Sequence, residues 1–210
     1  MIKYVIPARK NSKGLPFKNR KLITYTLNTL PDDVFANTIL STDDEELIKT
    51  AKEYGVYCVE RDPNLALDET STKDVILDLR NNNVIGDDDI VVMLYLTYPE
   101  RNWIDIERAI DFFIKKDGKS LLCQKEINGT HPYLYMLEMD NFKGDQLRPH
   151  NLYRRQDYPK VFEISHFIAI FNVDELENLN DNLYNNDTIF YPIKDIIDVD
   201  TKDDLDKFIK

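Results

Sequence analysis

Cysteine, histidine and glycine are all scarce in this chain of 210 residues, and each scarcity removes a class of function. With six glycines, the sequence contains neither G-x-x-x-x-G-K-[ST] nor G-x-G-x-x-G, which excludes a P-loop and a dinucleotide fingerprint. The three histidines, His131, His150 and His166, stand at no metal-ligand spacing, which argues against a histidine-based zinc site. The two cysteines, Cys58 and Cys123, lie in the apolar runs VYCV and SLLCQ. They read as buried free thiols in a reducing cytoplasm, not as a disulfide framework. No apolar run approaches the roughly 18 residues of a membrane span, so no membrane association is expected. In the opening MIKYVIPARK the apolar residues precede the basic ones, the reverse of a secretory leader.

Positive charge is also in short supply, and it is unevenly spread. The net charge is −11, which speaks against binding nucleic acid along a phosphate backbone. Yet residues 1–31 hold Lys3, Arg9, Lys10, Lys13, Lys18, Arg20 and Lys21 and no acidic residue. That leaves 20 basic against 38 acidic side chains in the other 179 residues, a balance of −18. A cationic loop on an acidic protein points to a small polyanion held at one place.

What is abundant is alternation of strand and helix periods. IKYVI (2–6) reads as a strand, and Leu22, Ile23, Leu27 and Leu30 recur at helical spacing after a polar loop. NTILST (37–42) reads as a second strand. The helix after it is capped by Thr42 or Asp43, carries Leu47, Ile48, Ala51 and Tyr54, and stops at Gly55. VYCV (56–59) is a third strand, and Ser71 with Asp74 forms a capping box for the next helix. IVVMLYL (90–96) has the unbroken apolar character of a central strand covered on both faces. Asn102 with Asp105 opens a helix striped by Trp103, Ile106, Ile110 and Phe113.

Further strands are expected at SLLCQ (120–124), YLYMLEM (133–139), FIAIF (167–171), IFYPI (189–193) and IIDVD (196–200), with a short helix near Val173–Leu179 and a last helix capped by Thr201. The tract ENLNDNLYNND (177–187) reads as a solvated helix end and loop. The pattern predicts an α/β fold, a mostly parallel twisted sheet with helices on both faces. A single domain over residues 1–210 is expected, with 125–165 as an excursion from the sheet.

Two segments carry chemistry. PARKNSKGLPFKN (7–19) follows the first strand, where ligands bind in open α/β sheets. Gly14 permits close backbone approach, Pro7 and Pro16 stiffen the loop, and Arg9, Lys13 and Lys18 bring charge for a triphosphate. Asp198-Val199-Asp200 places two carboxylates at i and i+2 of the expected strand, on one face, where they can share a hard cation such as Mg²⁺.

At this point the sequence resembles a family, the acylneuraminate cytidylyltransferases. IPARKNSKGLPFKN is similar to their signature loop, LSTDDEELIKTAKEYGV (40–56) to their second strand and helix, and ERDPNLALDETSTKDVI (60–76) to their Arg-Pro…Leu-Ala-x-Asp…Ser-x-x-Asp segment. RRQDYP (154–159) and DVDTKDDL (198–205) resemble two later motifs. The resemblance implies a Rossmann-like nucleotidyltransferase fold and transfer of CMP from CTP to a small 2-keto sugar acid. It implies that Arg9, Ser12 and Lys18 lie at the CTP phosphates, Asn19 near the nucleoside and Arg61 at the cytidine end. Asp198 and Asp200 would hold Mg²⁺, with Arg9, Lys18 and Asp200 acting in catalysis. Tyr95, Thr97, Arg101, Arg155 and Gln156 would face the substrate. Residues 125–165, whose Tyr133, Tyr135 and Met136 form an apolar patch, would mediate a homodimer.

The chain also departs from the family. Its usual Leu-Gln-Pro-Thr-Ser-Pro is here Leu94-Tyr95-Leu96-Thr97-Tyr98-Pro99, its Asn-Gly is Ser165-His166, and its Gly-Lys-Pro-Leu is shortened to Arg20-Lys21-Leu22. The nucleotide and metal parts are kept while the sugar-reading parts are changed. Two other readings stand beside this one. An Mg²⁺-dependent glycosyltransferase would also use Asp-x-Asp, although there the motif is expected mid-chain. A non-catalytic nucleotide-binding relative would account for the altered sugar positions.

Overall fold

The strands form because β-branched and aromatic residues alternate in pattern with two buried faces. In a computed structural model, which describes residues 1–127, 129–139 and 143–209, they are β1 (Ile2–Pro7), β2 (Thr38–Thr42), β3 (Tyr57–Glu60), β4 (Ile90–Met93), β5 (Ser120–Glu126), β6 (Met136–Met139), β7 (Lys143–Gln146), β8 (Phe162–Asn172) and β9 (Ile189–Pro192). The helices are α1 (Lys18–Leu27), α2 (Glu45–Glu53), α3 (Thr72–Asn81), α4 (Trp103–Lys115) and α5 (Lys202–Ile209). Asn128 and Asp140–Phe142, inside the expected excursion, lie outside the described residues.

Seven strands make one sheet in the order β3-β2-β1-β4-β8-β5-β9. Every pairing is parallel except those of β8, which runs antiparallel to β4 and β5. The expected α/β class with a mostly parallel sheet therefore holds, and β8 is the mixed element. Alternate side chains feed opposite faces. Tyr4, Ile6, Val92 and Leu94 pack with Leu22 and Leu27 of α1, Leu47 of α2, and Ile106 and Ile110 of α4. Val5, Val91 and Met93 pack instead with Ile76 and Leu79 of α3 and with Val173 and Leu176. Among the described residues no helix is long and apolar enough to cross a membrane. Both cysteines are free, and burial pushes the Cys123 thiol up to about 12.

Several expectations need correction. The apolar run 90–96 is strand only to Met93, because Leu94 N–H makes a last bond to Val5 O while the Tyr95 carbonyl accepts from Arg101. Residues 196–200 are extended but form no strand: Ile197 N–H donates to the Glu100 carboxylate, and Val199 N–H makes a lone bond to Thr97 O. The strand expected at 133–139 begins only at Met136, after a 3₁₀ turn at Pro132–Leu134, and pairs with β7 in a separate two-stranded sheet. The helix expected near Val173–Leu179 is a 3₁₀ helix, Val173–Asn178. The capping boxes at Ser71/Asp74 and Asn102/Asp105 are present, and Thr201 caps α5 with Asp204.

The cap of α2 is Asp44, not Thr42 or Asp43. Its buried carboxylate accepts from Glu46 N–H and takes both prongs of Arg20, at 2.7 and 2.8 Å, which ties α1 to the start of α2. Burial opposes its ionisation, but the Arg20 fork, the Glu46 amide and the Lys10 charge outweigh burial and hold Asp44 below its ordinary 3.8. A carboxylate depressed in the folded state stabilises above its unfolded pKa and loses that contribution as pH falls through its folded value. Asp44→Asn should therefore cost about 1–3 kcal/mol at pH 7 by urea denaturation, as expected for a lost charge-assisted bond. The difference from wild type should be fully present above pH 3.8 and shrink below it.

Candidate functional site

The loop after β1 turns back over the sheet's carboxyl edge and enters α1 without a capping side chain. Phe17, just before the helix, sits at φ 54° with the Arg20 guanidinium 4.6 Å over its ring. No acidic residue occupies the first turn of α1, so its positive end is left for an anion. Asn19 donates to the Arg9 carbonyl at 2.9 Å and fixes the loop.

A cavity of about 260 Å³ opens beneath this loop. Arg9, Lys18, Asn19, Arg61, Tyr95 and Thr97 all line it, so six of the residues singled out in the sequence converge here. Arg61 is buried, with its guanidinium donating to the Ser41 carbonyl at 2.8 Å and to Ser41 Oγ at 3.3 Å. Burial lowers its pKa to about 10, so it stays cationic at neutral pH. Ser12 is half-buried in the loop but does not line the cavity.

Four polar side chains that line the cavity are not among the site residues expected from sequence: Asp68, Thr70, Ser71 and Thr72. Asp68 accepts from Lys13 at 2.8 Å and Arg9 at 2.5 Å, and these two bonds hold its carboxyl below the ordinary range. The cations of the loop are thus already gathered around one carboxylate. Asp68 and Ser71 stand in the Leu-Ala-x-Asp…Ser-x-x-Asp segment that resembles the family, and Ser71 also carries the helix-cap signal.

A second cavity, about 290 Å³, shares Thr72, Tyr95 and Thr97 with the first and adds Tyr98, His166, Asp181, Asn182, Asp198 and Asp200. Val199 is buried while Asp198 and Asp200 on either side are exposed, so the two carboxylates project from a fixed segment. Lys18 crosses from α1 to donate to Val199 O at 3.3 Å and to the Asp200 carboxylate at 2.5 Å. Tyr98 is buried, and burial raises its hydroxyl pKa, opposed by the Ser165 side chain and reinforced by the Asp198 charge.

Among the described residues no three His, Cys, Asp or Glu side chains converge as a cage. A hard cation here would rest on two carboxylates, with substrate oxygens and water completing its shell, a donor set that suits Mg²⁺.

Tyr95 is half-buried, edge-on to the His166 ring at 5.6 Å, and it lines both cavities beside Thr72. Burial raises its hydroxyl to about 12. Arg101 does not reach either cavity. It is fully buried, donating to Phe167 O at 2.7 Å and Tyr95 O at 3.0 Å, so it braces the bend after β4 where the sequence reading had it facing substrate. Arg155 and Gln156 are exposed on a 3₁₀ turn outside both cavities. His131 and His150 pack with Tyr133 and Tyr158 in the excursion, each accepting a backbone N–H on Nδ1.

Comparison with known proteins follows the same lines. The profile of a family described as cytidylyltransferase matches residues 4–99. Pseudaminic acid cytidylyltransferase of Campylobacter jejuni is 32% identical over 170 residues, 75% of this chain and 72% of that protein. N-acylneuraminate cytidylyltransferase of Streptococcus agalactiae is 28% identical over 213 residues, covering 96% of this chain. The chain spans about half the length of that relative, 51%. The structure of CMP:2-keto-3-deoxy-manno-octonic acid synthetase complexed with CTP shares the fold, with a TM-score of 0.69 at 16% identity over 99% of this chain and 96% of that one.

Gly14 is where the two chemical segments touch. A Cβ there would stand 2.4 Å from the Asp200 carbonyl oxygen, far inside contact distance and against backbone that cannot rotate away. Gly14→Ala should push the loop off the carboxylate segment. CTP affinity measured by calorimetry should fall about tenfold or more, since an ångström of misplacement is costly at such sites. The melting temperature should change little.

Proposed function

The chain belongs to the acylneuraminate and pseudaminic acid cytidylyltransferase family, and on that footing we propose that it transfers CMP from CTP to a 2-keto sugar acid of the nonulosonic type, releasing pyrophosphate. Its general chemistry is nucleotidyl transfer: CTP and an acceptor give a CMP-linked product and pyrophosphate. The observation that carries the reading is the meeting of the cationic loop and the Asp198/Asp200 pair at two adjoining cavities.

In this reading CTP occupies the cavity under the loop, with its triphosphate drawing Arg9 and Lys13 from Asp68 and Lys18 from Asp200. These cations neutralise the triphosphate and the departing pyrophosphate, work that needs positioning and charge more than covalent catalysis. Asn19 and Arg61 hold the nucleoside end. Asp198 and Asp200 would hold Mg²⁺, which when bound neutralises phosphate charge and acidifies an adjacent hydroxyl. The acceptor's anomeric hydroxyl approaches from the second cavity and attacks the α-phosphorus, and its proton leaves toward the carboxylate side. Ser12, at the loop's flank, can steady its backbone against the phosphates. Arg155 and Gln156, exposed on the excursion, would meet the acceptor at the site of a second copy.

That excursion exposes Tyr135, Met136, Leu137, Leu152, Tyr153 and Phe162, a concentration of apolar side chains that supports a homodimer. Sedimentation at twice the chain's mass would check it. A reducing compartment, the cytoplasm, suits the two free thiols.

Tyr95 bears on the choice of acid. It offers an aromatic ring and a single hydroxyl where the family's amide would give and accept hydrogen bonds. This favours an acceptor with fewer hydroxyls, or more acyl or methyl groups, than N-acetylneuraminate.

Pyrophosphate release from CTP and Mg²⁺ should be followed with N-acetylneuraminate, pseudaminate and related acids. Wild type should turn over at least one of them. Asp200→Ala should lose about 100-fold or more in kcat/KM, and undiminished turnover would discard the metal assignment. Tyr95→Gln should raise kcat/KM for N-acetylneuraminate relative to the preferred acid. If a folded, CTP-binding Tyr95→Gln gains nothing there, Tyr95 does not set specificity.

A further inference from the structure

The Asn/Asp-rich tract, read from sequence as a solvated helix end and loop, is largely exposed and also reaches the second cavity. Leu183 is its anchor: at φ 63° it turns the chain back on itself and buries its side chain against the α3 face of the sheet. Around it Asn180 Oδ1 accepts from the amides of Asn182 (2.9 Å) and Tyr184 (3.2 Å), and Leu183 N–H bonds Asn180 O. The turn is thereby held with Asp181 and Asn182 on the cavity wall. It is tied to β8 as well, because His166 Nε2 meets the Asn182 carbonyl at 3.1 Å while its ring packs edge-on to Tyr95.

Thr72, Tyr95 and Thr97 are common to both cavities, and Asp198 and Asp200 lie in the second. A molecule whose reacting hydroxyl sits beside the two carboxylates meets the other lining residues, His166, Asp181 and Asn182 among them, with the rest of its body. Three of the lining residues are aspartates and none is lysine or arginine. An anionic group there would meet the Asp181 carboxylate with no cation among the lining residues to offset it, whereas neutral donors would find an acceptor with two oxygens free to share.

Resting on the cytidylyltransferase reading above, we infer that Asp181 and Asn182 read the part of the acceptor away from its reacting hydroxyl, Asp181 by accepting hydrogen bonds from neutral hydroxyl or acylamino N–H groups. The two residues set which acid is accepted and leave CTP binding alone, since neither lines the nucleotide cavity. Their contribution is the discrimination a site gains when its polar groups are left unpaired by the wrong ligand.

The test compares wild type with Asp181→Ala, Asn182→Ala and Asp187→Ala, the last an exposed residue of the same tract that lines neither cavity. Acceptor KM is measured by pyrophosphate release with the best acid of the panel, and CTP affinity by calorimetry. Asp181→Ala should raise acceptor KM about tenfold, with CTP affinity and melting temperature unchanged and Asp187→Ala equal to wild type. Asn182→Ala should shift the ranking of acids. Wild-type turnover with an acceptor KM in Asp181→Ala within twofold of wild type overturns this inference and leaves the cytidylyltransferase reading intact. An equal loss in Asp187→Ala overturns it too, since the effect would then come from the tract's fold. Absence of turnover by wild type with every acid overturns both.

Discussion

The contact between the loop after β1 and the segment before α5 is the constraint on which the site depends. Lys18 reaches across 182 positions of sequence to the Asp200 carboxylate, and Gly14 lies against the carbonyl of the same residue. Neither segment is held in a strand ladder. The loop is pinned by Asn19 to Arg9 O and by Lys10 N–H to Asp43, and the carboxylate segment by Val199 to Thr97 and Ile197 to Glu100. Each therefore depends on the other for its final position, so the sheet's first loop and the chain's last loop act as one unit.

The electrostatics follow from that joint. A chain with a net charge of −11 gathers its early cations at one edge of the sheet, where Asp68 and Asp200 draw them together. The Asp68 pairs are largely exposed and individually weak, so competing phosphate oxygens can replace that carboxylate at little cost. The arrangement keeps flexible Arg and Lys side chains gathered near where a triphosphate would need them. Arg61 differs, because it is buried on Ser41 and needs no acidic partner to stay in place.

The antiparallel strand β8 gives the site its second half. Inserted between β4 and β5, it carries Ser165 and His166 toward the end of β4, beside Tyr95 and Tyr98. The bend after β4 is braced by Arg101, whose guanidinium satisfies the Tyr95 and Phe167 carbonyls that leave the ladder there. A buried cation that takes two backbone carbonyls is a structural part. Its identity as arginine gave no way to tell it from a ligand-binding residue while only the sequence was in view.

Local pattern determined a good deal by itself: the alternation of strands and helices, the capping boxes at Ser71 and Asn102, the stop at Gly55, and the cationic loop with its Asp-x-Asp counterpart. These are legible because hydrophobic period, capping chemistry and charge are local properties. Arg9, Lys18, Asn19 and Arg61 could be named early for the same reason, since they sit in motifs. Tertiary structure alone decided that β8 runs antiparallel, that 196–200 is held by single bonds and not a ladder, and that Arg101 is core. It also brought Asp68, Thr72, Asp181 and Asn182 to the cavities. Asp68 stands in a motif, but Thr72, Asp181 and Asn182 carry no local signal for a ligand: Asp181 and Asn182 sit in a tract whose composition reads as solvent-exposed, and they line a wall because Leu183, next to them, is buried. Burial and long-range contact are properties of the packed chain, and a sequence of short-range patterns does not contain them.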